Sequence, residues 1–119
     1  MRVRRFTLLL RNNMEQPNIS YIQSMSGGDK NFEKKLLDII KLEFPTEIQA
    51  YYNSMRIKNF NDASEIVHKI KHKISILGLE ENYRDAKAFE HGLRKGDVAL
   101  QSNFETTLMI ITDFLKNFK

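Results

Sequence analysis

The chain has 119 residues, which is enough for one domain with a buried core and too few for two. It contains no cysteine, which excludes disulfides and thiolate metal sites and suits a reducing compartment. Its 19 basic and 15 acidic residues give a net charge of +4, but these charges are scattered rather than gathered in one block. This pattern does not favour nucleic acid as a partner.

The start of the chain differs in composition from the rest. Residues 1–16 are predicted to form a flexible basic leader, with Met14 as an alternative start of translation. The apolar run over residues 6–10 is too short for a signal-peptide core or for a membrane span. We therefore expect a cytoplasmic protein without stable membrane insertion, whose folded domain covers residues 17–119.

Apolar residues then recur every three or four positions, which predicts amphipathic helices. A short helix is expected over residues 19–25, followed by a turn at residues 26–28. Asp29 fits the N-cap of a long second helix. Pro45 lies inside that helix and should cause a kink or a break near Phe44, because proline removes a backbone donor and clashes with the preceding turn.

Three more helices follow with short links. The central helix is expected to begin at a cap formed by Asn59 or Asn61 and to end at Gly78. Apolar stripes over residues 79–93 and 104–118 predict the last two helices. No segment shows strand periodicity, so the sequence predicts an all-α protein, an antiparallel four-helix bundle with a short extra N-terminal helix. We expect it to be a monomer.

The central helix carries a histidine on its polar side. On a helical wheel, His68 falls about 160° from Ile70, which lies at the centre of the apolar stripe. An exposed imidazole is a nucleophile at neutral pH and can hold a phosphoryl group. Lys71 is predicted to lie on an adjacent part of the surface, where its ammonium could offset the charge of such a group. The polar residues predicted to share the exposed side with His68 are Asn61, Ser64, His72 and Ser75.

These residues resemble a known family. His68, Lys71 and Gly78 look like the H-x-x-K and later L-G of histidine-containing phosphotransfer (HPt) domains, which carry phosphoryl groups between receiver domains. The match runs from about residue 19 to the C-terminus. The other segments similar to the family are Gly27-Gly28-Asp29 with Phe32 and Leu36, Ala86 with Phe89-Glu90, and the turn from Arg94 to Asp97.

The resemblance implies a phosphorelay protein in which His68 accepts a phosphoryl group from an aspartate of one receiver domain and passes it to another. The expected partners are receiver domains of response regulators and of hybrid sensor histidine kinases. The chain is expected to be a carrier without kinase activity, because it has no glycine-rich nucleotide loop and no room for an ATP-binding domain. No cofactor is expected on this chain, since the Mg²⁺ of the reaction would belong to the receiver.

Glu90 falls inside the apolar arc of its helix, where an unpaired carboxylate would be costly, so it needs a partner. The resemblance implies that Glu90, Lys87 and Arg94 flank His68 from the neighbouring helix. Glu90 could orient the imidazole, while Lys87 and Arg94 could shape the surface that a receiver meets. The alternative is that Glu90 forms a structural ion pair with another lysine.

His72 and Ile76 are predicted to lie near His68, and each could affect its function. His72 stands where the family has a small residue that leaves room for the phosphoryl group, and it is also a rival acceptor. The spacings to Lys71 and Gly78 favour His68. Ile76 lies off the apolar stripe towards the side of His68, where it is either an apolar contact for a docking partner or an exposed isoleucine without a role.

Other functions remain as alternatives. The chain could be a docking module that binds receivers without transfer, with His72 blocking the site, or a small basic nucleic-acid binder. His68 and His72 have the spacing by which two imidazoles share a metal. No metal site is expected, because no glutamate lies between them and three lysines, Lys69, Lys71 and Lys73, surround them with positive charge.

Overall fold

The structure, a computed structural model, describes residues 15–118. Within that range the chain forms five α-helices and no strand, so the predicted all-α class is confirmed there. The helices are α1 (Ser20–Ser26), α2 (Lys30–Arg56), α3 (Phe60–Ile76), α4 (Glu80–Leu93) and α5 (Gln101–Asn117). The predictions for residues 1–14, including the alternative start at Met14, lie outside the described residues.

Glu15, at the end of the predicted leader, is the first described residue. Its Oε1 accepts the backbone N–H groups of Glu81 at 2.7 Å and Asn82 at 3.1 Å, in the first turn of α4. These donors have no partner within a helix, and a negative charge is favourable beside them. Glu15 therefore fastens the N-terminal segment to the start of α4.

The helix ends follow the sequence signals. The Asp29 side chain accepts the N–H of Phe32 at the start of α2, and the Asn59 side chain accepts that of Asp62 at the start of α3. Gly78 follows the last turn of α3 with a φ of 80°, a conformation that favours glycine. These contacts confirm the predicted N-caps at Asp29 and Asn59, and the glycine conformation confirms the predicted end of α3 at Gly78.

The long helix α2 is continuous through Pro45, so of the predicted kink or break near Phe44 the break is wrong. A proline inside a helix costs about 3 kcal/mol. Ile40, Phe44 and Tyr51 lie on both sides of it and are almost fully buried. Burial of each such side chain contributes roughly 1.5–3 kcal/mol, so packing against the core holds the two halves of α2 in one helix.

The core positions α3 between two neighbours. α3 has its most extensive contacts with α4 and packs on its other side against α2, while α5 contacts both α4 and α2 and α1 lies against α2. The residues of α3 that face this core and are buried are Ala63, Val67, Ile70 and Ile74. No helix within residues 15–118 has both the length and the apolar character needed to cross a membrane.

Candidate functional site

His68 projects from the middle of α3 with about half of its side chain exposed, 51%. The helix beneath it is fixed by buried apolar residues on the opposite side, of which Ile70 and Val67 are fully buried. A rigid backbone therefore carries an accessible imidazole, as the wheel predicts. The hydrogen bond made by one ring nitrogen sets which nitrogen carries the lone pair, so the neighbours of His68 decide which nitrogen can react.

Glu90 of α4 is the neighbour that holds the ring. Its side chain is only 5% exposed, and its carboxylate has three basic groups around it. Oε2 lies 3.1 Å from Nδ1 of His68 and 3.2 Å from the guanidinium of Arg94, and Oε1 lies 2.9 Å from Nζ of Lys71. The partners that a carboxylate in the apolar arc requires are thus present, and they include both the histidine and a lysine.

The balance of forces on Glu90 keeps it ionised. Burial opposes ionisation and acts to raise the pKa of the Glu90 carboxyl, but the contacts and charges of Lys71 and then of His68 outweigh burial and lower that pKa below its usual range. An ionised carboxylate can only accept hydrogen bonds, so Nδ1 of His68 is the protonated nitrogen. In the neutral ring the lone pair therefore lies on Nε2.

Lys71 is buried, which corrects the expectation that it lies on the surface. Only 8% of its side chain is exposed, and its Nζ is held between Glu90 and the ring of Tyr83, 5.8 Å from the ring centroid. On the wheel Lys71 lies about 100° from Ile70, at the edge of the apolar stripe. α4 covers that flank of α3, so Lys71 reaches Glu90 instead of water.

Ser64 is also buried, although the sequence predicts that it lies on the exposed side of the helix. It is fully buried, and its Oγ donates to the backbone carbonyl of Glu90 at 3.0 Å. The Nε of Arg94 donates to the same Oγ at 3.0 Å. Ser64 lies on the same flank of α3 as Lys71, about 120° from Ile70, and this shared flank is the signal that could have identified it.

His72 contacts the outward nitrogen of His68. The Nε2 atoms of the two imidazoles are 3.4 Å apart, and the rings are nearly perpendicular with centroids 4.9 Å apart. His72 itself is exposed. The imidazole of His72 therefore lies directly beside the nitrogen of His68 that carries the lone pair.

Of the remaining predicted residues, Arg94 contacts Glu90 and Ser64 directly. Lys87 and Ser75 are exposed, and Arg94 is half exposed at the end of α4. Ile76 is partly buried against the core, so only part of it is available to a partner. Within residues 15–118 there is no group of three or more His, Asp or Glu side chains arranged to hold a metal ion.

Comparison of the chain with models of known protein families, with curated proteins and with solved structures found no match.

The lowered pKa of the Glu90 carboxyl predicts how the contribution of this residue to stability depends on pH. A carboxyl whose pKa is lower in the folded state stabilises the fold above its unfolded pKa, about 4.3, and loses that contribution as pH falls through the folded value. We expect the free energy of unfolding of the wild type to exceed that of Glu90→Gln at pH 7. Urea unfolding should show this difference shrinking from pH 5 towards pH 3. A difference independent of pH would contradict the ionised state of Glu90.

Proposed function

We propose that this protein is a phosphorelay carrier of the HPt type. His68 accepts a phosphoryl group from a receiver-domain aspartate and passes it to the aspartate of another receiver, on response regulators and hybrid sensor histidine kinases. The chain has no kinase activity of its own in this proposal and works as a monomer in the cytoplasm. The exposed imidazole, its order relative to Lys71 and Gly78, and the basic groups around Glu90 support this function.

The proposal includes a specific arrangement of the helices. α2 to α5 form an antiparallel four-helix bundle, with α1 as the short extra helix. Two features support this arrangement: α2, α3, α4 and α5 contact one another in a closed ring, and the links between successive helices are short. Such a bundle presents His68 on the outer side of α3, where a globular receiver can approach it.

One observation carries the proposal: the half-exposed ring of His68 is hydrogen-bonded through Nδ1 to the buried carboxylate of Glu90, at 3.1 Å. Nε2 attacks the phosphorus of the receiver's aspartyl phosphate, the new N–P bond forms, and the P–O bond to aspartate breaks with its electrons on the departing carboxylate. The imidazole becomes positively charged as it reacts. Glu90 stabilises that charge and holds the ring in line, while Mg²⁺ on the receiver neutralises the phosphoryl oxygens.

The residues around the cluster have supporting roles in this proposal. Lys71 keeps Glu90 ionised inside the protein, so that Glu90 can hold the imidazole of His68. Lys87 on α4 and Arg94 directly after that helix give the docking surface a positive edge, and Ser75 and the exposed part of Ile76 continue that surface along α3. Positive charge near the acceptor favours the approach of the acidic site at which a receiver carries its phosphate.

The direct test is transfer from phosphorylated receiver domains to the purified protein. Wild type should acquire acid-labile, base-stable phosphate from at least one cognate receiver. His72→Gln should remain labelled, because the acceptor is His68. His91→Gln, at an exposed histidine in the last turn of α4, is the matched control and should be labelled like the wild type. Absence of label from every cognate donor would contradict the carrier function.

A second candidate is a docking module that binds receivers without accepting phosphate. The observation that favours it is the 3.4 Å contact between Nε2 of His72 and Nε2 of His68, because a phosphoryl group can reach His68 only if the His72 ring moves. Receiver binding without labelling of wild type would support the docking module. Labelling restored by His72→Gly, which empties the space, would identify His72 as the block.

A further inference from the structure

His68 and His72 form a close pair of exposed imidazoles on α3. Their Nε2 atoms are 3.4 Å apart. Two imidazole nitrogens bound to tetrahedral Zn²⁺ at about 2.0–2.1 Å each are about 3.3–3.4 Å from one another. The two rings therefore already have the separation between donor atoms that such an ion requires, and one side of the pair is open to solvent.

The position of the proton on the His68 ring also suits metal binding. A metal binds the lone pair of a neutral imidazole, and the second ring nitrogen of a ligating histidine commonly donates to a carboxylate. Glu90 fixes the proton of His68 on Nδ1 and leaves the lone pair on Nε2, which is the atom that faces His72. The buried carboxylate thus prepares His68 as a ligand as well as a nucleophile.

In the sequence analysis, the positive charge of three neighbouring lysines argues against a metal site. In the folded protein this charge is partly neutralised. Nζ of Lys71 is paired with Glu90, and Nζ of Lys73 is paired with Glu43 at 2.9 Å and Glu47 at 3.0 Å on α2. Two of the three neighbouring lysines are therefore ion-paired with carboxylates, which offset their charges. Lys69 is exposed and its charge is screened by water.

We infer that His68 and His72 bind a single divalent transition-metal ion of the zinc class through their Nε2 atoms, with water in the remaining positions. The ion would occupy the nitrogen that the proposed function assigns to the phosphoryl group, so metal and phosphoryl group exclude each other. That consequence, unlike the metal site itself, depends on the proposed function.

The test is calorimetric titration of the full chain with zinc chloride, without any phosphoryl donor. Wild type should bind one zinc ion per chain. His68→Gln and His72→Gln should each weaken zinc binding at least about tenfold, because each removes one of two protein ligands. His91→Gln retains both ligands and should bind like the wild type. Far-UV circular dichroism checks that each variant is folded, as expected for exposed helix positions.

Nitrogen chemical shifts of the imidazoles provide an independent readout. The chain has only three histidines, and zinc should shift the Nε2 signals of His68 and His72 while leaving His91 unchanged. The inference is overturned if wild type binds no zinc at millimolar concentration, or if either single variant binds zinc as tightly as the wild type. Because no phosphate is used, either result is independent of whether the carrier function is correct.

Discussion

Substitution of His68 by glutamine is expected to abolish phosphoryl acceptance while leaving the protein folded. Glutamine has no nucleophilic nitrogen, so the covalent step is lost entirely rather than slowed. The side chain is half exposed, and Glu90 keeps Lys71 and Arg94 as partners when the imidazole is removed. We therefore expect a change of about 1 kcal/mol or less in the free energy of unfolding.

Two measurements made on the same preparation separate the two parts of this prediction. Transfer from a phosphorylated receiver gives the loss of function, and urea unfolding gives the stability. Retained labelling of His68→Gln would remove His68 as the acceptor and point to His72. A loss of several kcal/mol in stability would instead show that the imidazole is part of the packing, against its observed exposure.

Substitution of Glu90 by leucine is expected to cost about 3–5 kcal/mol of stability. The carboxylate and the ammonium of Lys71 are both buried, and removal of one member of a buried ion pair leaves the other charge without compensation. Chemical unfolding measures the loss. The matched control is Asp38→Leu, which removes the exposed ion pair of Asp38 with Lys34 on α2 and should cost less than about 1 kcal/mol.

The double substitution Glu90→Leu with Lys71→Met distinguishes the buried charge from simple loss of contact. Methionine fills a volume similar to that of the lysine stem without its charge, so the double variant should recover much of the stability lost by Glu90→Leu. A loss below about 1 kcal/mol for the single variant, or no recovery in the double variant, would contradict this description of the pair.

Much of the fold could be predicted because local signals and packing agree. The capping side chains of Asp29 and Asn59 and the glycine at position 78 fixed three helix ends, and the apolar periodicity fixed the class. The predicted break at Pro45 is wrong, because a local rule about backbone donors competes there with burial of side chains far along the same helix. A sequence pattern does not give the size of that burial, so the continuity of α2 could not be predicted.

The candidate site could be predicted only in part, for a geometrical reason. A helical wheel shows how far a residue lies from the apolar stripe, which was enough to place His68 in water and Glu90 in the interior. It does not show which flank a neighbouring helix covers. α4 covers the flank with Lys71 and Ser64, and α2 covers the opposite flank with Lys73. These polar residues are therefore buried, and each is ion-paired or hydrogen-bonded to the covering helix.

In the proposed mechanism, Glu90 holds Nδ1 of His68 so that Nε2 takes the phosphoryl group. The most direct measurement is nitrogen and phosphorus NMR of wild type labelled by a phosphorylated receiver, under alkaline conditions that preserve phosphohistidine. We expect one N–P bond, at Nε2 of His68, with Nδ1 still protonated. Phosphate on Nδ1 of His68, or on His72, would contradict it.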